Sequence, residues 1–429
     1  MNVGIEPTPV VAPAPPDPLL AVQQLAGHEA GRALLALAED TPGLWLVGGT
    51  VRDVMLGRSP RELDVIVEGD VGEAAAAIAA ALGATVVAHP SFLTAQVVDA
   101  GGRVAVDLAT ARREHYSRPG ALPEVSPAPL QDDLLRRDFS VNTFAVALRH
   151  DVPDRVRSAP HALADLAEGR LRVLHDGSFM DDPTRLLRLA RYGARLAFDP
   201  DEHTRLLAGR AVAEGALDTV TGARLGAELR LLLTEGEAVD ALGELSRIGA
   251  LAALHPRLRF ERALSASALA LLPRDGRRDL LLLAALALAL TLSAGEDPPA
   301  ELRAWLARLE FPAADRDRVV AAAVAVPRLV PELDTAARPS RLRALVAGAP
   351  IEGVAIAGAL GPRIPAYEWM WKWRHVRLQI TGDDLLAAGV PAGPEVGRRL
   401  AVALDQRLDG EIGEDRESEL AAALGDGPT

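Results

Sequence analysis

The sequence predicts an α+β chain, with a small mixed sheet in an N-terminal head and an all-helical remainder. Three observations carry this reading. Short β-prone segments are confined to residues 43–110, and from residue 159 the apolar positions recur almost entirely at helical spacing. Strands at 84–88, 92–98 and 103–109 follow one another so closely that part of the sheet is expected to be antiparallel. No G-x-G-x-x-G is present, so a doubly wound dinucleotide-binding sheet is not expected.

Composition narrows the function classes. Hydrophobic residues at 49% with 24% charged residues describe a globular chain, long enough at 429 residues for several domains. The absence of cysteine excludes disulfides, zinc thiolates and cysteine nucleophiles. Lys372 is the only lysine, which rules out a Gly-Lys-Ser/Thr phosphate loop. A net charge of −13 argues against broad coating by nucleic acid. A local basic groove remains open, because phosphates respond to charge within about 10 Å. Residues 1–17 are Pro-rich without a basic n-region, so a disordered tail is expected rather than a signal peptide. The most apolar run, Leu280 to Leu292, falls short of the ~20 residues of a membrane span. It reads as a buried helix, and the protein is expected to be cytoplasmic.

Residues 20–38 form the first expected helix. The strand GLWLV then runs into Gly48-Gly49, followed by a short amphipathic segment with Arg52 and Asp53, closed by Gly57. A second strand, Glu62 to Glu68, sets Glu62 and Asp64 on one face and Leu63, Val65 and Val67 on the other. Two carboxylates opposite an apolar face make a candidate divalent-metal site. Val71 to Leu82 reads as a helix ended by Gly83. Gly101-Gly102 joins two of the later strands as a hairpin turn. Strand 103–109 places Asp107 on one face, and pairing beside the second strand would bring it to the carboxylates. Thr110 to Asp132 is a long connector carrying Arg112, Arg113 and Tyr116, of the kind that is usually functional or mobile.

Residues 133–150 read as a helix with a charged entry at Arg136-Arg137-Asp138. Residues 181–198 are a further helix, with Pro183 near its first turn. Arg185, Arg188, Arg191 and Arg195 fall within an arc of about 120° on that helix, opposite a leucine and alanine face. Such a face suits phosphates or base edges, or acids elsewhere in the fold. Asp182 and Arg185, three residues apart, can present an acceptor and a donor together. Beyond 236, helices are expected at 237–250, 262–272, 278–293, 299–310, 313–326 and 339–347. The aromatic-basic run Tyr367 to Arg377 stands out where aromatics are only 3% of the chain, and it suits helix packing or base stacking. The last stretch, ITGDDLLAAGVPAGPEVGRRL, reads as helix–turn–helix.

A strand, a double glycine, Val51-Arg52-Asp53 and then Glu62-x-Asp64 together make physical sense for phosphoryl transfer. Glycines let backbone N–H groups approach phosphates, and carboxylates hold divalent cations. With Arg137-Asp138-Phe139 through Asn142, Asp181-Asp182-x-x-Arg185-x-x-Arg188-x-x-Arg191, and Thr221-x-x-Arg224-x-x-x-Glu228-Leu229, this series resembles the class II nucleotidyltransferases, the CCA-adding enzymes and bacterial poly(A) polymerases. The loop TARREHYSRPGALP and the C-terminal TGDDLLAAGVPAGPEVG look similar to that family as well.

The resemblance implies a polymerase-β-like head at 18–158, a helical neck for base recognition at 159–236, a helical body at 237–345 and a tRNA-binding tail at 346–429. It implies Mg²⁺ on Glu62 and Asp64, with Asp107 as a third acid. Gly48, Gly49, Arg52 and Asn142 would hold the triphosphate, and Arg137 and Asp138 the ribose 2′-OH. Asp182 and Arg185 would read the bases of CTP and ATP, with Arg188 and Arg191 orienting that pair and contacting phosphate, while body and tail grip the acceptor end of tRNA. Two residues depart from the family pattern: Glu62 and Asp181 stand where aspartate and glutamate are usual. The expected activity is addition of CMP and AMP to complete CCA. A CC-only or A-only enzyme, a poly(A) polymerase, or a tRNA-binding protein weakened by Glu62 are the alternatives.

Overall fold

The computed structural model describes residues 17–60, 62–292, 297–336 and 338–425. The expected disordered tail, apart from Asp17, lies outside them. The chain divides into two compact units with the boundary between Val220 and Thr221. No single helix among the described residues is long and apolar enough to cross a membrane.

The first unit is built on a seven-stranded mixed sheet. In chain order its strands are β1 (Leu44–Val47), β2 (Asp64–Val67), β3 (Thr85–His89), β4 (Thr94–Val98) and β5 (Val104–Thr110). A hairpin of β6 (Arg112–His115) and β7 (Glu124–Pro127) stands apart, and β8 (Ala145–Ala147) and β9 (Val156–Arg157) return to the large sheet. The order across it is β3-β4-β5-β2-β1-β8-β9. Within this sheet, among the described residues, only β2 and β5 pair in parallel. A parallel pair needs a crossover, and the helix Val71–Leu82 with the β3–β4 hairpin supplies it. That helix starts on Asp70, whose carboxylate accepts the N–H groups of Gly72 and Glu73 at 2.7 and 3.2 Å. It stops at Gly83, at φ +61°. Trp45, Val47, Ile66, Leu130, Leu134, Ala145 and Ala147 close the core on the sheet face beside β1.

The structure corrects several sequence expectations. The first helix is two, Leu20–Leu25 and Glu29–Asp40, broken around Gly27. The helix expected at 133–150 is a short helix ending at Leu135, a 3₁₀ turn at Ser140–Asn142 and the strand β8, between β1 and β9. Every residue from Asp138 to Leu148 is buried, so the run carries no one-sided periodicity to distinguish helix from strand. The connector 110–132 contains the β6–β7 hairpin. The arginine-rich helix begins at Arg185, because Pro183 separates it from the single turn Ser178–Asp181. Finally, β2 begins at Asp64, so Glu62 is not on the strand.

The second unit is helical throughout. Its helix Arg278–Thr291 buries ten side chains, as a core helix and not a span would. The helix Ala313–Leu333 runs past its expected end through Pro327 and Pro331. The C-terminal helices close a small core of Ile380, Leu385, Val390, Ala403, Ala422 and Ala423.

Candidate active site

Parallel pairing of β2 and β5 sets Asp64 directly beside Asp107. Gln96, on the next strand, donates to Asp107 at 3.3 Å. Burial pushes the Asp64 carboxyl up to about 6. Arg137 and Arg52 oppose that rise, while the charges of Asp107 and Glu62 add to it. Carboxylates crowded in this way are hard oxygen donors suited to a divalent cation. Two of them converge. Glu62 is exposed on the bend before β2, with its carbonyl held by the Thr50 hydroxyl at 2.9 Å. Among the described residues no group of three or more His, Cys, Asp or Glu is assembled to hold a metal.

Opposite β2, strand β1 turns at Gly48 into the helix Gly48–Met55. Gly48 has φ +63°, and a Cβ there would lie 2.6 Å from Arg137 Nη1. Only glycine fits both demands without strain or displacement of the arginine. Arg137 donates to the Asn142 carbonyl at 3.1 Å and to Asp133 at 3.1 Å. Arg136 donates to the other Asp133 oxygen at 2.7 Å and to Glu114 at 2.6 Å, and Glu114 accepts from the Tyr116 hydroxyl at 2.8 Å. Burial raises the Asp133 carboxyl, but Arg137 and Arg136 outweigh it and hold the group below its usual range.

Asp138 is the junction of the two walls. Its Oδ1 accepts from the Phe139 N–H and Asn142 Nδ2, each at 2.8 Å, and its Oδ2 from Arg188 Nε and Nη2 at 2.9 and 2.6 Å. Burial raises this carboxyl, yet Arg188, Asn142 and Arg185 together hold it well below the ordinary carboxylate range. Arg185 donates to the Ser178 hydroxyl and the Arg136 carbonyl, both at 2.6 Å, which fixes its fork. One Asp182 oxygen accepts from the Thr184 N–H and hydroxyl at 3.1 and 2.6 Å. The arginine helix therefore turns its charged side into the unit, with Arg185 and Arg191 buried.

Gly48, Gly49, Asp64, Asp107, Arg137, Asp138, Asn142, Asp182, Arg185 and Arg188 all line one cleft of ≈ 380 Å³. Glu62, Arg52 and Arg191 do not line it. Arg52 is 1% exposed, drawn inward by Asp53 at 2.6 Å and by the Asn142 side-chain oxygen. Sequence reasoning missed Glu114 and Tyr192, which line the cleft. For Tyr192 a signal existed: it is the aromatic one turn beyond Arg188 in a chain poor in aromatics.

The poly(A) polymerase head-domain family matches residues 44–172. Over 388 residues the chain is 36% identical to the CC-adding tRNA nucleotidyltransferase of Deinococcus radiodurans, covering 90% of each. Over 405 residues it is 34% identical to the A-adding tRNA nucleotidyltransferase of Geobacter sulfurreducens, covering 89% of this chain but 45% of that one. The Thermotoga maritima CCA-adding enzyme complexed with tRNA superimposes with a TM-score of 0.73 at 25% identity, covering 94% of this chain and 98% of that one. The chain belongs to the tRNA nucleotidyltransferase and poly(A) polymerase family.

Proposed function

We propose that this chain adds CMP and AMP, taken from CTP and ATP, to the 3′ end of tRNA and releases pyrophosphate at each addition. The observation that carries the reading is that the carboxylate pair Asp64 and Asp107 lines the same cleft as Asp182, Arg185 and Arg188. The names of the relatives support the acceptor and the nucleotides.

In this reading the terminal tRNA hydroxyl attacks the α-phosphorus and the bond to pyrophosphate breaks. Asp64 and Asp107 would hold Mg²⁺, with Glu62 in electrostatic reach from the bend. When bound, the cation favours the deprotonated hydroxyl and neutralises charge on the leaving pyrophosphate. The N-terminus of the Gly48–Met55 helix faces the triphosphate with its positive dipole end, and Arg137 stands beside it. Arg52 acts behind this wall by holding Asn142 rather than by touching phosphate. Asp182 and Arg185, each fixed by neighbours, offer an acceptor and donors to the base edge, so protein takes the place of a template strand. Asp138 receives the ribose 2′-hydroxyl. The second unit would bind the acceptor by shape and backbone.

A narrower reading, addition of CC alone, is favoured by one observation: the Deinococcus relative matched over 90% of both chains is CC-adding. Supplying CTP and ATP separately, to transcripts ending before CCA and after CC, tests both. Two CMP and one AMP support the full reading, CMP without AMP supports the narrower one, and no incorporation defeats both.

A further inference from the structure

Three guanidinium groups surround one aromatic ring in the first unit. Arg191 lies 4.8 Å, Arg52 5.3 Å and Arg188 5.5 Å from the centroid of Tyr192. Phe139 packs against the same ring in a T-shaped pair, with centroids 6.0 Å apart and planes at 82°. Tyr192 lines the cleft, and its hydroxyl accepts from Arg188 Nη2 at the long distance of 3.5 Å. These three cations do different work. Arg52 holds Asn142, Arg188 holds Asp138, and Arg191 is buried. A ring face attracts each cation electrostatically, and it gives like charges a common surface on which to pack.

The consequence concerns Asp138. Its Oδ1 accepts from Phe139 and Asn142 and its Oδ2 from both Arg188 nitrogens, so the Arg188 fork fixes the direction in which the carboxylate points. A ribose 2′-hydroxyl received there shares Oδ2 with Arg188, whose side chain is the partly exposed partner at 29%. Where the Arg188 guanidinium sits thus decides whether that oxygen can take the hydroxyl. We propose that the Tyr192 ring is the positioning surface that fixes Arg188 on Asp138, and thereby sets the preference for ribose over deoxyribose nucleotides. This inference rests on the proposed function of the cleft.

The test compares CTP with dCTP, and ATP with dATP, in wild type, Tyr192→Phe, Tyr192→Leu and Tyr192→Met. Two readouts are taken: kcat/KM for incorporation into tRNA, and equilibrium binding of each nucleotide with Mg²⁺ by calorimetry. Leu and Met keep apolar volume and remove the ring face, so either suffices if the other fails to fold. The ribose preference is expected to fall by about tenfold in Leu or Met and to stay within about twofold of wild type in Phe. A preference unchanged in Leu and Met overturns the inference. So does an equal loss in Phe, because the hydroxyl and not the ring would then be responsible. A wild-type chain that binds no nucleotide breaks the reading of the cleft itself. A wild type that prefers ribose, with variants that do so equally, breaks only the role of Tyr192.

Discussion

Arg188 holds the buried carboxylate of Asp138 through both Nε and Nη2, at 2.9 and 2.6 Å. This pair ties the arginine helix to the segment after Arg137, and so joins the two walls of the cleft. Its chemistry predicts a pH dependence. Asp138 is held well below its ordinary range in the folded protein, so in acid the unfolded chain takes up more protons at this position. The stabilisation is complete above about pH 4 and is lost as pH falls towards the folded value. Thermal melting between pH 2 and 7 should show an acid limb that is shallower in Asp138→Asn than in wild type. Parallel acid limbs would mean that the pair contributes little.

The carboxylate pair makes a separate prediction that does not depend on turnover. Asp107 and Glu62 each repel the Asp64 carboxylate when no cation is bound. Metal-free Asp64→Asn should therefore melt at or above the wild-type temperature, while losing at least about a hundredfold in incorporation rate. Mg²⁺ should raise the melting temperature of wild type and not of the variant. Glu62→Gln, altering an exposed residue off the strand, should cost less activity than Asp107→Asn. The reverse order would make Glu62 the principal carboxylate.

Gly48→Ala should displace Arg137, since its Cβ would fall 2.6 Å from Nη1 in a backbone conformation that disfavours side chains. The strain costs about 1 kcal/mol. The larger effect should be a raised KM for nucleotide, and steady-state kinetics at several nucleotide concentrations would detect it. A variant with wild-type KM would show that Arg137 does not contact the nucleotide.

In the second unit, Glu352 is fully buried and accepts two bonds from Arg318, each at 2.9 Å, and one from the Arg277 N–H at 2.8 Å. Arg318→Ala would leave that carboxylate with one backbone partner, at a cost of about 3 kcal/mol. Urea denaturation followed by circular dichroism would register the loss. A change under about 0.5 kcal/mol would place the pair among inert surface contacts.

The parts of this site that sequence made legible are those in which neighbours along the chain do the work. Gly48-Gly49 before a helix, Asp107 opposite apolar residues on β5, and the Asp182–Arg185 pair all follow from local periodicity. Glu62 was drawn onto the strand by the same alternation, but pairing starts only at Asp64. Strand β8 was hidden because burial on all sides erases the alternation that marks a strand. The inward turn of Arg52 and the ring of Tyr192 depend on Asn142, 90 residues from Arg52, and on Phe139, 53 residues before Tyr192. No spacing within one helix encodes such meetings.

In the proposed function, one wall of the cleft performs the transfer while the other chooses the base. The most direct measurement is single-turnover incorporation of CMP, AMP, GMP and UMP into a tRNA transcript by wild type and Asp182→Ala, with tRNA binding measured alongside. Asp182→Ala is expected to bind tRNA normally, to add CMP and AMP slowly, and to discriminate far less against GTP and UTP. An Asp182→Ala protein that adds nucleotides with wild-type base selectivity would contradict it.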